Sequence, residues 1–101
     1  MSDTVVVGAG LAGLSAAVRL ADAGRRVTVL SAGVGGLQLS PGLIDVAGYA
    51  PDRVARPRDG IRALADGNGG RHPYATLGVE RVERALEWIR TLAAGLGFVG
   101  D

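Results

Sequence analysis

Three glycines near the start of the chain stand at a spacing suited to phosphate chemistry: Gly8-Ala9-Gly10-Leu11-Ala12-Gly13 reads G-x-G-x-x-G. The spacing gains force from its flanks, a β-branched apolar run before it and a helix-forming stretch after it. In that setting Gly8 permits a tight turn out of a strand, Gly10 removes a side chain where a pyrophosphate would approach, and Gly13 lets the helix pack closely on the sheet. Unpaired amides and the positive end of the helix dipole then face the phosphate charge. Gly8, Ala9, Gly10, Leu11, Ala12 and Gly13 are therefore the expected dinucleotide contacts. A ligand-free glycine turn is the plainer alternative, and spacing together with context weighs against it.

A dinucleotide site ordinarily carries Asp or Glu about 20 residues after the glycines, to accept a hydrogen bond from a ribose hydroxyl. Here the run Val27-Thr28-Val29-Leu30 ends in Ser31. Serine accepts one hydrogen bond without the strength that a carboxylate's charge adds, so Ser31 is kept as a ribose contact and the cofactor's identity stays open. Arg25 and Arg26 read as solvated turn charges rather than as a pocket for a 2′-phosphate. His72 is the only histidine, and imidazole titrates nearest neutral pH. It precedes Pro73, which pushes it toward an extended conformation, and no carboxylate lies within a few residues of it; a structural role is expected. Asp45 and Tyr49 likewise lack a second catalytic group, so no catalytic residue is assigned. The chain has no cysteine, which excludes disulfides, thiolate nucleophiles and iron–sulfur ligation by this stretch, and no metal site is expected.

The elements that must position these residues follow from the apolar pattern. Residues 4–7 form a β-branched run suited to a strand buried on both faces of a parallel sheet. Residues 11–23 are Ala, Leu and Val except for Gly13, Ser15, Arg19 and Asp22, of which the last three share one narrow helical face; the rest of the helix is expected to be buried. Gly24 ends that helix, and residues 27–30 make a second strand. Pro41, Pro51 and Pro57 break residues 33–60 into a loop-dominated excursion. A short helix is expected over 59–66 and a turn at Gly67-Asn68-Gly69-Gly70. Val79, Val82, Leu86, Ile89 and Leu92 mark one face of a helix over 79–94, with Glu80 and Arg84 placed for a pair on another. Trp88 lies off that seam and is expected to pack rather than to stack on a ligand. The fold class is α/β: a Rossmann-like FAD/NAD(P)-binding βαβ start of a doubly wound parallel sheet. Residues 1–101 are read as the N-terminal part of a single such domain, incomplete in this chain, with the βαβ unit at 3–31, a loop-rich excursion at 32–77 and an amphipathic helix at 78–95.

The opening VVVGAGLAGLSAAVRLADAGRRVTVL is shared in style by a broad set of flavin-dependent oxidoreductases, and the next segments narrow the likeness. Leu39-Ser40-Pro41-Gly42-Leu43-Ile44-Asp45-Val46, then Gly48-Tyr49-Ala50-Pro51-Asp52, then His72-Pro73-Tyr74 ahead of a helix, resemble the B subunits of the anaerobic glycerol-3-phosphate dehydrogenases. The resemblance covers nearly the whole chain. It implies a subunit of a complex that oxidises sn-glycerol 3-phosphate to dihydroxyacetone phosphate and passes electrons to the quinone pool. The implied partners are a catalytic subunit and an iron–sulfur membrane-anchoring subunit. It also implies a flavin, FMN in one account of the family; FAD is favoured because the glycines are spaced for a pyrophosphate. By position, Ser40 and Gly42 match the segment that approaches the flavin in related proteins, with an ordinary turn as the alternative.

Composition bounds the remaining possibilities. Seventeen glycines in 101 residues are more than twice the roughly 7% average and foretell close backbone approaches. Eleven basic residues against ten acidic ones leave no net field for nucleic acid. No apolar stretch reaches the roughly 18–20 residues that span a bilayer, and the start carries no basic leader. A cytoplasmic location is expected, peripheral to the inner face of the membrane through a partner subunit. Two other readings stand next to the dehydrogenase one. The first is a flavoenzyme of the amine oxidase or desaturase type, against which Gly35-Gly36 is followed by Leu37-Gln38 rather than by an Arg. The second is a non-catalytic scaffold that only carries a cofactor or a partner. Even under the dehydrogenase reading the 101 residues alone are expected to be inactive.

Overall fold

A computed structural model describes residues 3–95 of the chain. The chain divides into two compact units, Met1–Leu43 and Ile44–Asp101.

The first unit is a βαβ motif. Strand β1 (Asp3–Val7), helix α1 (Leu11–Asp22) and strand β2 (Arg26–Leu30) follow one another, and a 3₁₀ turn at Gly36–Leu39 comes after. The strands pair in parallel, with Asp3 opposite Arg26 and Val7 opposite Leu30, and Gly8 N–H extends the ladder by donating to the Leu30 carbonyl at 2.8 Å. A parallel pair needs a crossover between its strands, and α1 supplies it while packing on both. Beyond Ala23 the helix ends as its glycine suggests, with Gly24 at φ 80°. Asp3 and Arg26 form a two-pronged ion pair at the strand starts, at 2.6 and 2.7 Å.

Two burial expectations are corrected here. Strand β1 alternates: Thr4 and Val6 are half-buried, whereas Val5 and Val7 are 57% and 82% exposed. No residue of α1 is fully buried, and only Gly13, Leu14, Ser15, Ala17 and Leu20 reach half-burial. The physical reason is that, within this unit, two strands and one helix make a single packed face. An apolar composition suited to two-sided burial then leaves the other face open.

The second unit is helical: α2 (Pro57–Asp66), a 3₁₀ turn at Asn68–Gly70, α3 (Pro73–Leu77) and α4 (Val79–Leu92). The three helices pack against one another, with Ile61 at 1% and Val82 at 7% exposure forming the buried core. Gly60 lies where a Cβ would meet the Ala47 carbonyl oxygen and the Val54 side chain, so α2 rests directly on the preceding loop. That loop is closed by Val54 N–H donating to Gly48 O at 2.9 Å and by a bridge between Tyr49 and Arg53. Pro57 does not break an element, as its type suggested, but begins one. At the first helical position its missing N–H leaves no bond unmade. Pro73 does the same for α3, a helix inside the expected loop-rich excursion. On α4, Val79, Leu86 and Ile89 flank buried Val82 as the periodicity requires, while Leu92 is 53% exposed. An ion pair ties α4 to α2, joining Glu83 to Arg58 at 2.9 Å.

Candidate functional site

The site is built on the turn between β1 and α1. The chain leaves β1 through Gly8 at φ 110°, a conformation from which a side chain is largely barred. Gly10 then caps α1 in an extended conformation, φ −81° and ψ −176°, with its carbonyl accepting from Leu14 N–H at 3.0 Å. No side chain caps the helix start, and its first turn holds no acidic residue. The amides of Leu11, Ala12 and Gly13 belong to the class of helix-start donors that lack an intrahelical acceptor.

The three glycines differ in what surrounds them. A Cβ on Gly13 would overlap the carbonyl oxygen of Gly8 and lie 3.5 Å from Val6 Cγ1. Helix α1 can approach β1 this closely only because position 13 has no side chain. A Cβ on Gly10, by contrast, would meet nothing within 4 Å. The backbone is thus packed on one side and open on the side where position 10 has no side chain, which is the shape a pyrophosphate requires there. The residues present fit an FAD pyrophosphate.

Ser31 directly follows β2, next to Leu30, whose carbonyl receives the Gly8 amide. Its hydroxyl is exposed and engaged locally, accepting from Gly33 N–H at 3.2 Å and donating to the Gly33 carbonyl. Ser40 makes a similar small turn, its Oγ accepting from Gly42 N–H at 3.3 Å, with Gly42 at φ 74°. Both hydroxyls therefore shape their own turns, and a hydroxyl oxygen so used keeps one further acceptor position. The structure brings Gly8, Ala9, Gly10 and Gly13 together; the hydrogen bond of Ser40 stays within residues 40–42.

Asp45, Tyr49 and His72 belong to the second unit. His72 is the N-cap of α3: its Nδ1 accepts from Tyr74 N–H at 3.1 Å, and the two rings stand 4.6 Å apart at 57°. An Nδ1 that accepts places the neutral ring's proton on Nε2. Two open grooves in this unit, one lined by residues that include Gly78, Glu80 and Arg84 and one by Ala55–Arg58, contain none of the expected site residues. Among the described residues, no group of three or more His, Cys, Asp or Glu could hold a metal ion, and no helix is long and apolar enough to cross a membrane.

Comparison with known proteins agrees with the turn. The FAD binding domain family matches residues 3–101. The B subunit of anaerobic glycerol-3-phosphate dehydrogenase from Aliivibrio fischeri is 39% identical over 97 residues, covering 94% of this chain and 21% of the relative. The protein of the same name from Vibrio cholerae is 39% identical over 90 residues, 87% of this chain and 20% of the relative. A probable B subunit of the same enzyme from Halobacterium salinarum is 40% identical over 88 residues, 84% and 20% respectively. The chain spans about a fifth of the length of these relatives. No solved structure gives a significant match. The resemblance to the B subunits of the anaerobic glycerol-3-phosphate dehydrogenases is thus borne out across most of the chain.

Proposed function

The chain belongs to the family of FAD-binding domains, and on that premise we propose that it is the N-terminal, cofactor-holding part of the flavin-dependent B subunit of a glycerol-3-phosphate dehydrogenase. The observation that carries the reading is the turn from Gly8 to Gly13, packed at Gly13 and open at Gly10, in a chain 39% identical over 97 residues to a protein of that name. Residues 1–101 form part of one nucleotide-binding domain whose sheet extends beyond β1 and β2.

In this reading the amides of Leu11, Ala12 and Gly13 and the α1 dipole hold the pyrophosphate, with Gly8, Ala9 and Gly10 shaping the turn beneath it. Ser31 offers its remaining acceptor position to a ribose hydroxyl. Ser40 and Gly42 border the flavin ring, where the bare backbone of Gly42 leaves room. The bound FAD supplies the two-electron acceptor for oxidation of the secondary alcohol of sn-glycerol 3-phosphate to the ketone of dihydroxyacetone phosphate. The partners in this reading are a catalytic subunit and an iron–sulfur, membrane-anchoring subunit at the inner face of the cell membrane, with the quinone pool as the electron acceptor.

The first test is the visible spectrum of the intact purified protein and of its Gly10→Val variant. Position 10 is extended and open, so valine is accommodated by the backbone and fills only the space reserved for the pyrophosphate. Yellow wild-type protein and a folded, colourless variant support the reading. Folded wild-type protein that takes up neither FAD nor FMN would replace it with the non-catalytic scaffold.

A further inference from the structure

The loop after β2 returns to the phosphate turn. Gly35, which immediately precedes the 3₁₀ turn at Gly36–Leu39, lies so close to Ala9 that a Cβ on it would overlap the Ala9 carbonyl and crowd the Gly10 amide nitrogen at 2.8 Å. Gly35 is in ordinary extended backbone, φ −67° and ψ 169°, so any residue could adopt its conformation. Glycine is required there by space alone. Its neighbours Gly33 and Gly36 would each place a Cβ in open surroundings, so the constraint is confined to one position.

We infer that Gly35 is a positioning residue of the dinucleotide site, clamping the Ala9–Gly10 backbone from the loop side as Gly13 clamps Gly8 from the helix side. The two contacts hold the turn between them and leave the Gly10 side open. A turn held in its receiving conformation before the ligand arrives avoids the cost of ordering it on binding. Ser31 serves the same end, because its hydroxyl bonds to Gly33 set the direction in which the loop leaves β2 toward Gly35. A side chain at position 35 must displace backbone atoms at Ala9, since no flexible side-chain end is available there to give way.

The inference rests on the FAD-binding reading, and its test separates the two. In the intact protein, Gly35→Ala is compared with Gly36→Ala and with Ile61→Ala, a core change in the other unit. Three quantities are read: amide hydrogen exchange over residues 8–14 without ligand, FAD affinity by flavin fluorescence, and the melting temperature. Gly35→Ala is expected to speed exchange in the turn and to weaken FAD binding roughly tenfold or more at temperatures where the protein is folded. Gly36→Ala should leave both unchanged, and Ile61→Ala should lower the melting temperature with wild-type FAD affinity. Wild-type exchange and affinity in Gly35→Ala would overturn the inference, as would a loss of affinity in Ile61→Ala equal to that in Gly35→Ala. Faster exchange in Gly35→Ala, in a wild-type background that takes up no FAD, would support the clamp while refuting the cofactor reading.

Discussion

Gly13 of α1 lies against Gly8 at the end of β1 so closely that a Cβ at position 13 would overlap the Gly8 carbonyl oxygen. Helix and strand are therefore joined backbone to backbone at the first turn. Gly13→Ala has no flexible neighbour to displace, and it should cost about 1–3 kcal/mol, as overpacking in a tight contact does. Denaturant unfolding of the flavin-free protein checks this, and Gly10→Val is the contrasting variant, expected to lose FAD binding while its flavin-free midpoint changes little. Equal midpoints for Gly13→Ala and wild type would remove the close approach from the account.

The βαβ start could be read from the sequence because each of its signals is local. The β-branched runs, the helix between them and Gly24 all act within a few residues of themselves. The burial of β1 could not be read that way. Val5 and Val7 have the composition of two-sided burial, but composition does not say which face this stretch of chain covers. Helix α3 was hidden for a different reason: five residues are too few to show a period, and its start is set by a histidine ring and a proline whose types suggest a loop. Gly35 looked like one more loop glycine, because its partner Ala9 is remote in sequence and close only in the fold.

Ser31 occupies the place where a carboxylate would strengthen ribose binding, while its hydroxyl also secures Gly33. Aspartate preserves the acceptor for Gly33 N–H and adds a second, charged oxygen, while giving up the hydroxyl's donation to the Gly33 carbonyl. Ser31→Asp should tighten FAD binding several-fold, in line with about 1 kcal/mol for a charge-assisted bond over a neutral one. Ser31→Ala should weaken it. A fluorescence titration of both variants gives the order Asp, Ser, Ala from tightest to weakest; the reverse order would show that position 31 does not face the ribose.

His72 holds the start of α3 through Nδ1 and the Tyr74 amide. Removing an N-cap acceptor costs about 0.5–2 kcal/mol, so His72→Ala should lower the melting temperature of the intact protein by a few degrees. Asparagine accepts the same amide with its side-chain oxygen, and His72→Asn should recover most of the loss. If alanine destabilises and asparagine fails to rescue, the contribution of the ring comes from its packing on Tyr74 rather than from the cap.

Ile61, at 1% exposure, is the most deeply buried large side chain described, on the helix that packs against both α3 and α4. Truncation to alanine removes three carbons from a fully buried site on α2. The expected cost is about 2–5 kcal/mol, against about 0.5–1.5 kcal/mol for Ile61→Val. The ion pair between Arg58 and Glu83 spans the same two helices, but Arg58 is 59% exposed. Breaking it with Glu83→Gln should cost less than about 1 kcal/mol and should depend on salt. Urea titrations of the three variants thus rank apolar burial above charge pairing as the force that joins α2 to α4. A Glu83→Gln loss as large as that of Ile61→Ala would invert that ranking and make the ion pair the principal tie.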